Sequence, residues 1–269
     1  MFLIIETFFL DVKKNILCYN NCMPLIDILY IDQHLAVINK PSGLLSVPFP
    51  GYKGKTAQSI LEDILRKQGR ANNHHKPFAV HRLDRDTSGV MMFALTAQAQ
   101  KKIMDTWHKM VTERLYHALA EVPGKNCKLP PLENEKEDWI TDELSFNKYH
   151  VGYVKQDGKG GPSTGSGTTV ARTHYRILQK GSRYALFELS LDTGKKNQIR
   201  AHLAAHGYPI AGDKEHRAHT NPFERLCLHA CTLEFVHPFT KESLSFEVPE
   251  PKEWIASASP RNDETMTNK

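Results

Sequence analysis

Apolar residues along this chain fall into two rhythms, a strand alternation and a helical period. Ile26 to Ile31 and Leu35 to Asn39 are short β-prone runs separated by Asp32-Gln33-His34, which predicts a hairpin ended by Lys40-Pro41-Ser42-Gly43. Thr56 then precedes Ala57, Ile60, Leu61, Ile64 and Leu65, a helical period with a capping residue at its head and Gly69 at its close. Ala97 to Val111 repeats that period through Ala99, Ile103, Trp107 and Met110. Between the two helices lies an unbroken apolar run, Val90 to Leu95, that reads as a buried strand.

Further along, Arg114 to Val122 reads as a strand, and Tyr184 to Leu191 places Ala185, Phe187, Leu189 and Leu191 on one face. After Asp192-Thr193-Gly194, the segment Asn197 to His206 reads as a helix with Ile199 and Leu203 inward and Gly207 as its stop. Leu226 to Phe235 and Leu244 to Val248 add strands around the turn His237-Pro238-Phe239-Thr240. Strands outnumber helices, and few stand in strand-helix-strand order. The expected class is therefore α+β, a mainly antiparallel mixed β-sheet with flanking helices.

Two stretches break the rhythm. Residues 123–169 carry Pro130-Pro131, a charge-rich run from Glu133 to Asp138 and glycines clustered between Gly158 and Gly167. Such a segment reads as an insertion unable to bury much, its last third a mobile loop. Residues 256–269 are polar and read as a flexible tail.

Composition narrows the partners without naming one. A chain of 269 residues with 40% hydrophobic and 24% charged residues is an ordinary globular protein able to bury a full core. Its formal net charge of +5 admits an anionic partner and does not demand one. The five cysteines are scattered, and the pairs Cys18/Cys22 and Cys227/Cys231 admit a tetrahedral metal site on spacing alone. Cys227 and Cys231, however, lie in an apolar run where cysteine serves as a small buried hydrophobe. Without a signal-peptide pattern, a reduced, cytoplasmic protein is expected. Met1 to Leu10 is apolar but too short to span a membrane and lacks a basic flank. Residues 1–22 read as an extension, with Met23 the expected start and 23–255 the folded domain.

The densest chemistry is His81-Arg82-Leu83-Asp84-Arg85-Asp86-Thr87-Ser88-Gly89, immediately before the buried strand. A strand edge beside a core can hold a carboxylate rigidly and partly out of water, as a reactive carboxylate requires. An isolated Asp-Arg-Asp on a surface turn would be only a solvated pair. Asp84 and Asp86 could also hold a divalent cation for glycosyl or phosphoryl transfer, although the neighbouring arginines would neutralise such a site. The second dense segment is Thr193-Gly194-Lys195-Lys196-Asn197-Gln198-Ile199-Arg200-Ala201-His202-Leu203. Its cations sit at the start of a helix, where the macrodipole disfavours them. A phosphate or the Asp84 carboxylate would each answer that charge. His202 and His206, four apart, could share a metal, but no third ligand accompanies them.

These segments together resemble the RluA family of RNA pseudouridine synthases. The first looks like its H-R-L-D-x-x-T-S-G signature. Asn39-Lys40-Pro41-Ser42-Gly43-Leu44 is similar to N-K-P-x-G-L, and Arg114-Leu115-Tyr116-His117-Ala118 to K-x-Y-x-A. The Thr193 segment resembles T-G-R-x-H-Q-I-R-x-H-L, and Gly207 to Asp213, Leu226 to Ala230 and Phe235 to Pro238 follow in order. The likeness runs from about Ile26 to Pro251 and implies the pseudouridine synthase catalytic fold with a central active-site cleft.

By that resemblance Asp84 is the nucleophile that attacks a flipped uridine, so that the base detaches, turns and rejoins through carbon. Tyr116 would stack on the base and help remove its carbon-bound proton, and Arg200 would pair with Asp84. A guanidinium within hydrogen-bond reach favours the ionised carboxylate. An aromatic face supports a base taken from its stack. Arg82, Arg85, Lys195 and Lys196 are the expected RNA contacts; the family points to Arg82 for the vacated space, while the sequence leaves Arg82 and Arg85 open. The resemblance implies no metal and no organic cofactor, an RNA partner (large-subunit ribosomal RNA first, tRNA second), no membrane, and a monomer. A non-catalytic RNA-binding relative is the reading from another class. Lys195 departs from the family's Arg, Asn197 from its His, and Lys214-Glu215-His216-Arg217 from its Tyr-Gly, departures expected to touch RNA contacts more than activity. No S4-type RNA-binding domain is expected, so target recognition falls to the catalytic domain.

Overall fold

The computed structural model describes residues 26–124, 127, 132, 138–147, 151–154 and 169–260. The expectations for residues 1–22, for the mobile last third of the insertion, for the end of the tail and for Cys18/Cys22 lie outside the described residues.

The predicted hairpin forms as β1 (Asp27–Ile31) and β2 (Leu35–Lys40). Asp32 closes its turn, its carboxylate accepting from the amides of His34 and Leu35 at 2.7 Å. Helix α1 (Ala57–Lys67) starts in a reciprocal capping box between Thr56 and Ser59 and buries Ala57, Leu61 and Leu65. After β3 (Phe78–Ala79), every residue of β4 (Ser88–Ala94) is buried. Helix α2 (Ala97–Met110), capped by the Thr96 hydroxyl, runs directly into β5 (Val111–Glu121), which starts three residues before the expected strand. Then come β6 (Asp138–Phe146), β7 (Gly152–Val154), β8 (Thr169–Lys180), β9 (Tyr184–Leu191) and α3 (Gln198–Ala205). β10 (Leu228–Val236), β11 (Ser243–Glu247) and α4 (Lys252–Ala258) complete the described chain.

All eleven strands of the described residues join one mixed sheet in the order β1-β2-β4-β10-β5-β9-β8-β6-β7, with β3 beside β4 and β11 beside β10. Pairing is antiparallel everywhere except between β4 and β10. Among the described residues four α-helices flank it, in keeping with the α+β class. β2 and β4 are covered on both faces: Leu35, Val37, Val90 and Met92 pack with Ile103 of α2, while Ala36, Ile38, Met91 and Phe93 join the larger cluster holding α1, α3 and α4. That double burial explains their unbroken apolar runs. Among the described residues no helix is long and apolar enough to cross a membrane.

Two expectations are corrected and one strand was missed. The 123–169 stretch contributes β6 and β7, and Ile140 and Leu144 of β6 are buried. β8 was not anticipated, because its inward residues Ala171, Thr173 and Tyr175 are small or polar-tipped and dilute the alternation. The beginning of the tail belongs to α4, where Trp254 and Ala258 are fully buried.

The seam between β4 and β10 positions the site. Ala230 of β10 lies opposite Gly89 of β4 on one side and Tyr116 of β5 on the other. Gly89 adopts φ +117°, and a Cβ there would come within 2.1 Å of the Ala230 carbonyl oxygen. Only glycine permits this approach, which sets the segment before β4 level with Tyr116.

Candidate active site

The segment carrying Asp84 is held by side-chain-to-backbone bonds with Lys40 at the end of β2 and with the loop that follows. Lys40, fully buried, donates from Nζ to the carbonyls of Leu44 at 2.7 Å and of Pro41 and Arg85 at 3.0 Å. Burial pushes its ammonium down to about 7, against the pull of Asp86 and Asp84. The Ser46 hydroxyl donates to the Leu83 carbonyl at 2.7 Å and accepts from the Leu83 amide at 3.2 Å. Ser42 donates to the Asp86 carbonyl and Arg85 Nε to that of Gly43. Asp84 is thus fixed at its backbone before its side chain meets anything.

The rest of the signature is structural. His81 Nε2 accepts from the Met92 amide, and burial pushes its imidazole down to about 3, so the ring is neutral. The Ser88 hydroxyl lies 2.7 Å from His229 Nδ1 and accepts from Arg225, tying β4 to β10. Asp86 is more than half exposed and lies 4.0 Å from Arg85, without sharing any of Asp84's bonds.

Asp84 takes two donors on a single oxygen. Asn197 Nδ2 donates to Oδ2 at 2.6 Å and Arg200 Nη1 to the same atom at 3.4 Å. Oδ1 keeps no hydrogen-bond partner among the described residues. Arg200 is itself clamped: Nε and Nη2 donate to the two oxygens of Asp213 at 2.7 Å, and Nη2 reaches Glu215 at 2.6 Å. Asp213 has a fully buried side chain; burial opposes its charge, but Arg200 and His216 hold it well below the usual carboxylate range. The cation at the start of α3 is therefore answered by three carboxylates rather than by Asp84 alone.

Asp213, Glu215 and His216 could offer metal ligands, their candidate atoms lying within 4.8 Å of one another. The guanidinium of Arg200 already occupies the two carboxylates. His202 and His206 have separate partners, Thr173 at 2.9 Å and Asp142 at 3.0 Å, so they do not converge on one ion. Cys227 and Cys231 are buried, and burial pushes the Cys227 thiol up to about 12.

A cleft of about 630 Å³ opens beside these groups, walled by Arg82, Asp84, Trp107, Arg114, Tyr116, Lys195, Lys196 and Arg200. Tyr116 is 7% exposed, and burial raises its phenol, which keeps the proton at neutral pH. A second recess of about 380 Å³ lies past Asp84 and shares Arg82, Lys196, Asn197 and Arg200 with the first. Arg85 lines that recess alone. The structure thus brings Asp84, Tyr116 and Arg200 to one cleft with Arg82, Lys195 and Lys196 at its rim. Sequence reasoning missed Asn197 and Asp213 as its supports; the signal was there, in a residue departing from the family pattern and in the Gly212-Asp213 pair.

A family model described as RNA pseudouridylate synthase matches residues 34–205, the span that holds Asp84, Tyr116 and Arg200. tRNA pseudouridine synthase C of Vibrio cholerae is 32% identical over 233 residues, covering 82% of this chain and 89% of its own. An uncharacterized RNA pseudouridine synthase of Bacillus subtilis is 31% identical over 233 residues, covering 85% and 70%. Ribosomal large subunit pseudouridine synthase D of Nitrosomonas europaea is 32% identical over 240 residues, covering 86% of this chain and 64% of its own. Among solved structures, human RNA pseudouridylate synthase domain containing 4 superposes with a TM-score of 0.63 at 24% identity, covering 86% of this chain and 91% of its own. Human domain containing 1 superposes at 0.65 with 21% identity, covering 89% and 91%. The chain belongs to the RNA pseudouridylate synthase family. Its class is therefore an isomerase that acts on uridine in RNA, the RluA-type relationship that its motifs resemble.

Proposed function

We propose that this protein converts a specific uridine of folded large-subunit ribosomal RNA to pseudouridine, with Asp84 as nucleophile. The observation that carries the assignment is the two-donor hold on Asp84 Oδ2 in a residue that lines one cleft with Tyr116. The carboxylate attacks C1′ of the extruded uridine as the N1–C1′ bond breaks, the freed base turns, and C5 bonds to C1′ as the bond from C1′ to the carboxylate breaks and returns Asp84. C5 gives up its proton and N1 takes one, so the reaction balances without an oxidant, reductant or cofactor. Tyr116 supports the base and, being a protonated phenol, accepts the C5 proton only as it passes its own on. Arg200 holds and aims the Asp84 carboxylate through its bond to Oδ2. Arg82, Arg85, Lys195 and Lys196 bind phosphates around the target or fill the space it leaves. The protein works as a cytoplasmic monomer on this reading.

A second target, transfer RNA, is supported by the tRNA pseudouridine synthase C of Vibrio cholerae, which at 32% is as identical to this chain as the ribosomal enzyme of Nitrosomonas europaea. Mapping pseudouridines in total RNA of a deletion strain against its parent decides between them. A site lost from ribosomal RNA supports the first target, and one lost only from tRNA replaces it with the second. Tritium release from RNA carrying C5-labelled uridine excludes a non-catalytic RNA-binding role, and its persistence in chelator excludes a metal-dependent transfer on Asp84 and Asp86.

A further inference from the structure

Asn197 occupies an unusual place for a helix-capping residue. It precedes α3 with φ 56° and ψ 20°, left-handed backbone that asparagine tolerates better than most side chains, and it makes no capping bond. Its amide is spent elsewhere. Nδ2 donates to Asp84 Oδ2 at 2.6 Å, and Oδ1 accepts from the Gly152 amide at 3.4 Å. A carboxylate needs a donor and an N–H needs an acceptor, so this chemistry allows only one orientation of the amide.

Gly152 opens β7, in the stretch that the sequence reads as an insertion. A Cβ there would meet the Lys196 carbonyl oxygen at 2.7 Å, so glycine is what lets β7 lie against the peptide that presents Asn197. The Gly152 carbonyl is held as well, 2.8 Å from His216 Nε2, while His216 Nδ1 lies 3.0 Å from Asp213. One side of Gly152 thus leads to Asp84 and the other to Asp213. Arg200 bonds both carboxylates, which closes the circuit Gly152, Asn197, Asp84, Arg200, Asp213, His216. Val151, just before the strand, lines the recess shared with Arg82, Lys196 and Asp84, so RNA lodged there bears on the same segment.

We propose that Asn197 and Gly152 form a positioning link through which the β6–β7 hairpin sets the aim of the Asp84 carboxylate. The link rests on Asp84 being the nucleophile. It converts a departure from the family motif into part of the machinery, because Asn197 supplies a donor on one side of its amide and an anchor on the other. Its effect falls on turnover at saturating RNA rather than on affinity.

Asn197→Gly keeps the left-handed backbone and removes the link, Asn197→Asp keeps the shape and replaces the donor by an acceptor, and Asn197→His restores a donor. Tritium release is measured for each at saturating C5-labelled ribosomal RNA, and for the tRNA pool if that is the substrate, together with RNA affinity and thermal unfolding. Asn197→Gly is expected to lose about 10- to 100-fold in kcat with unchanged affinity. Asn197→Asp should lose more, and Asn197→His should recover most of the rate. Gly152→Ala should also slow turnover, and the double variant with Asn197→Gly should be no slower than Asn197→Gly alone. Wild-type turnover by Asn197→Gly and Asn197→Asp beside an inactive Asp84→Asn overturns the link and leaves the nucleophile in place. Additive losses in the double variant also overturn it, by separating Gly152 from Asn197. An active Asp84→Asn removes the nucleophile assignment itself.

Discussion

Arg200 grips Asp213 through two hydrogen bonds of 2.7 Å and reaches Asp84 through one of 3.4 Å. The tighter pair is the buried one, so the guanidinium is fixed from behind and presents its remaining nitrogen to the Asp84 carboxylate. Asp213→Ala should leave a buried cation short of its main partner and cost about 3–5 kcal/mol of stability. Glu215→Ala removes a carboxylate whose side chain is 55% exposed, and should cost about 1 kcal/mol or less. Urea unfolding of both variants checks the contrast; equal losses would mean that the Asp213 pair is not what anchors Arg200.

Asp84→Asn keeps the size of the side chain and removes the reactive oxygen. RNA affinity should persist, since the change leaves the proposed phosphate-binding residues Arg82, Arg85, Lys195 and Lys196 in place, while tritium release falls to background. Pseudouridine formation at the wild-type rate would displace the chemistry from this residue.

Much of the fold could be read from local pattern. Where both neighbours of a strand are apolar layers, as for β4, the run is unbroken and easily seen. β8 was hidden because its inward face includes Thr173, a polar residue buried only because Gln198 and His202 bond to it. Such pairing is tertiary and leaves no periodic trace. The same holds for the site. Asp84, Tyr116 and Arg200 came from motifs, but the roles of Asn197, Asp213 and Lys40 depend on bonds spanning many residues of chain, 113 in the case of Asn197 to Asp84. A departure from a motif was read as a change in RNA contact, and the structure puts it on the Asp84 carboxylate.

Tyr116→Phe separates two uses of one ring. The aromatic face survives, so RNA affinity should be unchanged. Loss of a buried, protonated hydroxyl should lower kcat by about 10²- to 10⁴-fold if the phenol relays the C5 proton. Single-turnover tritium release measures this directly. An unchanged rate would reduce Tyr116 to a stacking surface.

His117 follows Tyr116 on β5 and points to the other side, where Nδ1 lies 2.7 Å from Glu250 and Nε2 3.5 Å from Glu188. Burial alone would push its imidazole down, but Cys231 and Glu250 outweigh that and raise it from 6.5 to about 9. A base whose folded value is raised contributes its full stability below about pH 6.5 and loses it as pH rises through about 9. Lys40 works in the opposite sense, since burial lowers it to about 7 and stability tied to it grows above that pH. The two can cancel in the wild type alone, so the informative quantity is a difference. Urea midpoints of the wild type and His117→Gln, compared across that window, should be furthest apart on the acid side and converge on the alkaline side. A gap that stays constant across the window would show that the His117 to Glu250 pair carries no charge dependence.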